Sequence, residues 1–440
     1  MLATRRPNPF ARSTRPAKRL RAGPAVQSFS CGDADFQAIV SFLLSSGMMH
    51  LGPDMLRLGA ASSHCRAAHW PLCCGGDAFE DIEFSQTVAM RLVGRLQVVA
   101  RASSRTARSA SSEQDSRDEE EAHRAAMTII SCFNAQNQKR LADAGALPAL
   151  RSLAARSFSR SQASSAWALA KLCDRHYNNG FHSYHVSDAV ELAIALLREG
   201  SLDVQGKGAL LVAAYSANVD GFAVDVVLAG AVPYLESLLR ENSCPHKYEA
   251  LEAIASLTVH CGSLECNHAK QSVAFSEVSS IFPYIFTLLS DECAGVRREA
   301  TDALVCILQA DDDHNHAAMA VRAGCIESVL KMFASSEIGD QNLLLSLEYM
   351  LKCSPSAAPV AMRHGLVTTI VSFLSDENRM CDFFVDVIVG ILETVVQRLR
   401  CARSELIGAG VPALLRHCAE TFVYDDGTAE RAQCLLQALW

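Results

Sequence analysis

Small and apolar positions along this chain fall into one recurring phrase: a residue that is usually small or apolar, a Gly, more apolar residues, then a Leu-rich stretch at helical spacing. Five copies are plain: Ala144-Gly145-Ala146-Leu147-Pro148, Ala229-Gly230-Ala231-Val232-Pro233, Ala323-Gly324-Cys325-Ile326, His364-Gly365-Leu366-Val367 and Gly408-Ala409-Gly410-Val411-Pro412. Two weaker copies, Ser187-Asp188-Ala189-Val190-Glu191 and Ser280-Ile281-Phe282-Pro283, fill the gaps, the first recognisable because Ala189 to Glu199 parallels Ala231 to Glu241. Aligned on the proline column, positions 148, 191, 233, 283, 327, 368 and 412 lie 43, 42, 50, 44, 41 and 44 residues apart. A period of that length predicts stacked helical repeats, an all-α solenoid.

Within a unit the Gly is placed to end a short helix in a left-handed conformation, and the Pro suits the first turn of the next. The helix that follows carries Leu235, Leu238 and Leu239; after a polar loop another carries Ala250, Ala253, Ile254 and Leu257. Both patterns have the helical period. Neither helix can bury its apolar stripe alone, so neighbouring units must stack.

With these residues the chain resembles the armadillo repeat family. The resemblance covers roughly residues 80 to 440 and implies a right-handed armadillo-type α-solenoid of about eight helical repeats, the last helix of each unit lining a concave groove. A degenerate first unit pairs Thr87 to Val99 with Glu120 to Cys132 around a polar insertion at about 101–119, basic and Ser-rich at first and then acidic, expected to be a disordered loop. The domain plan is then a disordered basic tail over 1–32, a helical segment over 33–80, and the solenoid over 81–440.

Composition narrows the class. Apolar residues make up 50% of the chain, ample for a stacked core, and the net charge of -8 argues against general nucleic-acid binding. The most apolar run, Phe383 to Val396, is short and contains Asp386 and Glu393, so no membrane insertion is expected. Seventeen cysteines, odd in number and scattered singly along helices, behave as small hydrophobes and fit a reducing cytoplasm or nucleus.

The N-terminal part reads differently. Residues 1–32 hold seven Arg or Lys, four Pro and no acid, a disordered composition. Arg5-Arg6 and Lys18-Arg19-Leu20-Arg21 have the layout of a bipartite nuclear localisation signal. An Arg-rich, acid-free start also resembles an organelle presequence, although Pro7, Pro9 and Pro16 interrupt the helix such a signal needs, and an inert basic tail is the third reading. Between tail and solenoid, Ile39-Val40-Ser41-Phe42-Leu43 and Asp54-Met55-Leu56-Arg57-Leu58 with Ala61, Cys65-Arg66 and Trp70 resemble a degenerate F-box; the alternative is a plain helical cap over the first repeat.

No catalytic constellation is legible: Gly-x-Ser-x-Gly, the phosphate-binding Gly-x4-Gly-Lys and His-Glu-x-x-His are all missing, and no cofactor is expected. Three clusters have metal-ligating residue types. They are His176, His182 and His185 with Asp174; His260, Cys261, Cys266 and His268; and Asp311-Asp312-Asp313-His314-Asn315-His316. None has a zinc-finger or calcium-loop spacing, and each is expected to be a polar connector between helices.

Aligned on Ala-x-x-Ala-Leu-x-x-Leu, the third helices give two groove-facing positions per unit. The first is Arg124, Trp167, Leu210, Glu252, Asp302, Leu345 and Asp386; the second, four residues later, is Thr128, Lys171, Ala214, Ser256, Cys306, Tyr349 and Gly390. The importin-alpha proteins of this family place Trp and Asn at these positions. Here only Ser165-Ala166-Trp167-Ala168-Leu169-Ala170-Lys171 resembles that pattern, with Lys171 in place of the Asn, which argues against carriage of import signals. Arg124 and Lys171 make the early groove positive, whereas Glu252, Asp302 and Asp386 make the later groove negative and suited to a ligand with a basic segment. Trp440 ends the chain on a final helix without a polar cap, so that end is expected either to dock on something or to be incomplete.

The expected function is a non-catalytic scaffold or adaptor that recognises a protein or peptide through the groove. A substrate-recognition subunit of a cullin-type ubiquitin ligase is the alternative, if Phe42, Leu43, Leu56 and Leu58 form a face for a Skp-type adaptor. A transport receptor of importin-alpha type comes third.

Overall fold

The computed structural model describes residues 86–439 except for the connecting segments 106–111, 132–134, 157–159, 174–185, 200, 220, 242–243, 263–267, 311–314, 336–339, 377–381 and 422–425. The described residues contain helices and turns and no strand. The first unit is a pair, α1 (Gln86–Arg105) and α2 (Ser112–Ser131). The second has three helices, α3 (Ala135–Asp143), α4 (Ala146–Ala154) and α5 (Arg160–Leu172); in the third, α6 (Val186–Glu199) and α7 (Leu202–Asn218) are described. Next come α8 (Phe222–Leu228), α9 (Val232–Arg240) and α10 (Cys244–Gly262), then α11 (His268–Ser279), α12 (Phe282–Leu288) and α13 (Ala294–Gln309). The sixth unit is α14 (Asn315–Arg322), α15 (Cys325–Ser335) and α16 (Asp340–Cys353), the seventh α17 (Ala357–Arg363), α18 (Leu366–Leu374) and α19 (Asp382–Arg398). The last is α20 (Ala402–Gly408), α21 (Val411–Thr421) and α22 (Asp426–Leu439).

The repeated Gly does what its position implies. Gly230 has φ 90°, and around it the N–H groups of Ala229, Gly230 and Ala231 donate to the carbonyls of Asp225, Val227 and Val226, closing the end of α8. Such bonds satisfy carbonyls that the helix itself leaves open. The axis then turns by 79° into α9, with Pro233 in the first turn. The weak copy at Ser280-Ile281 turns without a Gly: Ile281 stays right-handed at φ -86° and Pro283 opens α12.

Packing follows from small residues on the third helices. Ala250, Ala253, Ile254 and Leu257 of α10 are fully enclosed, and so are Ala300, Ala303, Leu304 and Ile307 of α13. The third helices α2, α5, α7, α10, α13, α16, α19 and α22 form one ladder, each packed on the next, with the first and second helices behind them. Polar side chains tie the rungs together. Asn218 at the end of α7 donates to the carbonyl of Cys173 just beyond α5, and Arg398 of α19 donates to the carbonyls of Lys352 and Ser354 around the end of α16. These bonds satisfy helix-end carbonyls and fix the spacing between rungs. No single described helix is long and apolar enough to cross a membrane.

Two expectations change. The polar insertion of the first unit is narrower than 101–119, because α1 continues to Arg105 and α2 already begins at Ser112. The acidic run is therefore helical, carrying Glu119 to Glu121 half-buried against Arg95 and Arg124 rather than in a loop. His260 and Cys261 are also helical, in the last turns of α10, with His260 Nδ1 2.8 Å from the carbonyl of Ser256 and the Cys261 side chain enclosed. The F-box-like segment, the basic tail, the His176 to His185 cluster, Cys266 and Trp440 lie outside the described residues.

Candidate partner-binding face

The sequence-predicted positions all lie on the third helices, with unequal access. Arg124 and Glu252 are exposed, and Trp167, Lys171, Leu210, Ala214, Ser256, Asp302, Leu345, Tyr349 and Asp386 are half-buried. Thr128 is fully enclosed, its hydroxyl donating to the carbonyl of Arg124, and Cys306 and Gly390 are enclosed too. Those three present no side chain to a ligand. The second predicted row is therefore partly core, because small side chains there let successive rungs approach closely.

A row that the alignment passes over lies three residues ahead of the first predicted position: Lys207, Glu249, Glu299 and Asn342. Lys207, Glu249 and Asn342 reach across rungs. Lys207 Nζ lies 4.6 Å from the ring centroid of Trp167 and pairs with Glu249 Oε1 on the following rung. Asn342 Nδ2 donates to Asp302 Oδ1 at 2.6 Å. The signal in the sequence was Lys207 itself, a cation between two glycines.

The charge pattern is sharper in the middle of the face and muted at its ends. Arg124 pairs with Glu120 at 3.1 Å, so the early stretch is less positive than its first-row residues imply. Asp386 and Glu393 of α19 are both held by Arg431 of α22. The central Glu299 and Asp302 are different. Burial pushes the Glu299 carboxyl above the usual range and the charge of Asp302 adds to this; Arg298 Nη2, at 3.1 Å, offsets only part of it. Asp302 is raised as well, by burial first, against the pull of Asn342 and Arg298. One turn of α13 thus holds two carboxyls that lack full compensation.

His316 opens α14 with its ring edge-on between Phe275 and Phe282, centroids 5.7 and 4.9 Å away, as a core aromatic. Among the described residues no group of three metal-ligating side chains converges. Leu344 is enclosed and Phe384 is half-buried, its ring 5.6 Å from Phe373, while Phe383 stays 40% exposed on the third-helix side.

Three-helix units, Gly-turned and stacked through their third helices, define an all-α solenoid of armadillo type. No protein-family profile and no curated protein matches the chain. Solved structures do. An engineered protein from a structural-genomics consortium superposes with a TM-score of 0.59 at 21% identity, over 80% of this chain and 78% of that one. A designed armadillo repeat protein matches with a TM-score of 0.47 at 17% identity, covering 58% of this chain and 100% of that one. Another designed armadillo repeat protein, in complex with a (KR)4 peptide, has the same TM-score, identity and coverage. At these identities the likeness is one of fold.

Proposed function

We propose that this protein is a non-catalytic scaffold that binds a partner protein on its third-helix face, and that the bound segment of the partner is basic. The observation that carries this is the Glu299–Asp302 pair, two half-buried carboxyls on one turn of the central rung whose ionisation is resisted by burial and, for Glu299, by the charge of Asp302 as well. A Lys or Arg laid across them relieves that resistance, so binding and charge compensation favour each other. Glu252, exposed on the preceding rung, extends the negative stretch. The enclosed thiols of Cys261, Cys306 and Cys325 serve as small apolar side chains, which suits a reducing cytoplasm or nucleus.

The test is titration of the full chain with a short peptide of alternating Lys and Arg, beside an acidic peptide of the same length, at low and high salt. The basic peptide is expected to bind, to weaken with salt, and to lose about tenfold in the Glu299→Gln/Asp302→Asn variant. Equal affinity for both peptides, or indifference to the double substitution, removes the basic-segment reading.

A further inference from the structure

Three contacts between rungs share one arrangement. Lys207 of α7 lies over Trp167 of α5, Asn342 of α16 donates to Asp302 of α13, and Arg431 of α22 donates to Asp386 of α19. In each, a first-row residue is met by a cation or an amide from the first two turns of the next third helix. The step from α16 to α19 differs. Its first-row residue is Leu345, and the matching position on α19, three ahead of Asp386, is Phe383; neither carries a polar group.

The core does not require Phe383. Its neighbour Phe384 is half-buried, 5.6 Å from Phe373, and Phe373 stacks on Phe333 at 4.9 Å, so rings from α15, α18 and α19 already fill the space behind. Phe383 is left 40% exposed, with Leu345 half-buried on the preceding rung and Tyr349 half-buried one turn further along α16. A single exposed apolar side chain is ordinary. The position of this one sets it apart. On one side along the ladder lie the incompletely compensated carboxyls of Glu299 and Asp302, and on the other Asp386 and Glu393, which Arg431 already holds. A basic segment that lays a cation on Glu299 and Asp302 and continues in this direction crosses Leu345 and Phe383 next. An apolar side chain gains there by leaving water, whereas a charged one pays desolvation with no partner.

We propose that Phe383, Leu345 and Tyr349 form an apolar subsite for an aliphatic or aromatic side chain carried by the partner's basic segment. This rests on the reading of a basic partner segment given above and adds a second requirement to it. Packed helices lie about 8–10 Å apart. The path from α13 to midway between α16 and α19 is then about 15 Å, which about four extended residues span. The ligand is a chain with Lys or Arg at one point and a Leu-like or Phe-like side chain about four residues away; a uniformly basic chain satisfies only the first of these.

The experiment uses the full chain and three peptides, read by calorimetry: alternating Lys and Arg followed by a Gly-Ser tail, the same peptide with Leu at the fourth tail position, and that Leu peptide in reverse order. One of the two Leu peptides is expected to bind about fivefold more tightly than the Gly-Ser control, the gain from partly burying one such side chain. Phe383→Ser is expected to erase this gain and to leave the affinity of the control unchanged. Equal binding of the Leu and control peptides, or a gain that survives Phe383→Ser, overturns the subsite and leaves the basic-segment reading standing. Absence of binding by every peptide overturns both. Sedimentation of the unliganded protein tests the other occupant: a dimer that Phe383→Ser dissociates means that a second copy covers this surface, and overturns the proposal. Should Phe383→Ser lose its helical circular dichroism, Leu345→Asn is read in its place, with the same outcomes.

Discussion

Asn342 on α16 donates a 2.6 Å hydrogen bond to Asp302 on α13, and Lys207 on α7 covers Trp167 on α5 in the same register. In both pairs a first-row residue of one third helix is met by a residue three positions ahead of the first row on the next. That offset belongs to the stack and cannot be read within any one repeat. It makes the ladder a woven surface at these two places, where Trp167 and Asp302 are each partly held by the next rung. A substitution at one rung is therefore felt at the next.

Glu299 and Asp302 give the first prediction. Both carboxyls hold their protons more tightly folded than unfolded, chiefly through burial. Ionising them therefore costs the folded state. That cost is absent below the unfolded pKa, grows through the window between the unfolded and folded values, and is complete above the folded one. Glu299→Gln and Asp302→Asn are each expected to raise the urea midpoint at pH 7, with the gain shrinking as the pH falls toward the ordinary carboxylate range. A gain that persists unchanged in acid contradicts this assignment.

The solenoid was legible because its determinants are local and repeat: a Gly at five of the turns and apolar stripes at helical spacing recur along the chain, so one misread copy does not move the rest. Trp167, Glu252 and Asp302 could be placed on the third-helix row for the same reason. Thr128 and Cys306 were not separable from it, since a one-rung view cannot show that a neighbouring helix covers them. Lys207, Glu249 and Asn342 escaped because their roles are inter-rung contacts about 40 residues apart in sequence. His316 looked like part of an acidic, cation-attracting connector until the fold brought Phe275 and Phe282 against it.

Thiol reactivity separates core from surface. Burial pushes the thiols of Cys261, Cys306 and Cys325 up to about 12, leaving almost no thiolate at neutral pH, whereas Cys401 and Cys434 are exposed. Brief treatment of the native protein with iodoacetamide at pH 7.5, read by peptide mass mapping, is expected to modify Cys401 and Cys434 and to spare the three buried sites until denaturant is added. Early labelling of Cys306 would mean that its rung opens far more readily than this packing allows.

Two glycines test different physics. Gly230 has φ 90° and open space where a Cβ would go, so Gly230→Ala is expected to cost about 1 kcal/mol, from backbone strain alone. At Gly295 a Cβ would fall 1.3 Å from the hydroxyl oxygen of Tyr248, so Gly295→Ala must push the α10 ring off α13. Thermal melts are expected to show both losses. Adding Tyr248→Phe is expected to recover part of the Gly295 loss and none of the Gly230 loss.

Arg431 tests whether the last rung is held as a separable unit. Its guanidinium spans two carboxylates on α19, Asp386 and Glu393, and those carboxylates in turn strengthen its hold on its own proton, the Glu393 hydrogen bond most of all. The side chains are 27 to 45% exposed, so each pair contributes modestly, and together they stabilise the docking of α22 by about 1 kcal/mol. Because a solenoid unit touches only its neighbours, the loss in Arg431→Ala should stay local. Hydrogen exchange across 426–439 is expected to quicken about fivefold, while α10 and α13 keep their protection. Arg431→Lys, which can reach one carboxylate but not both, is expected to fall between. If exchange rises equally along the whole ladder, the last rung is not a separable unit and the rungs open together.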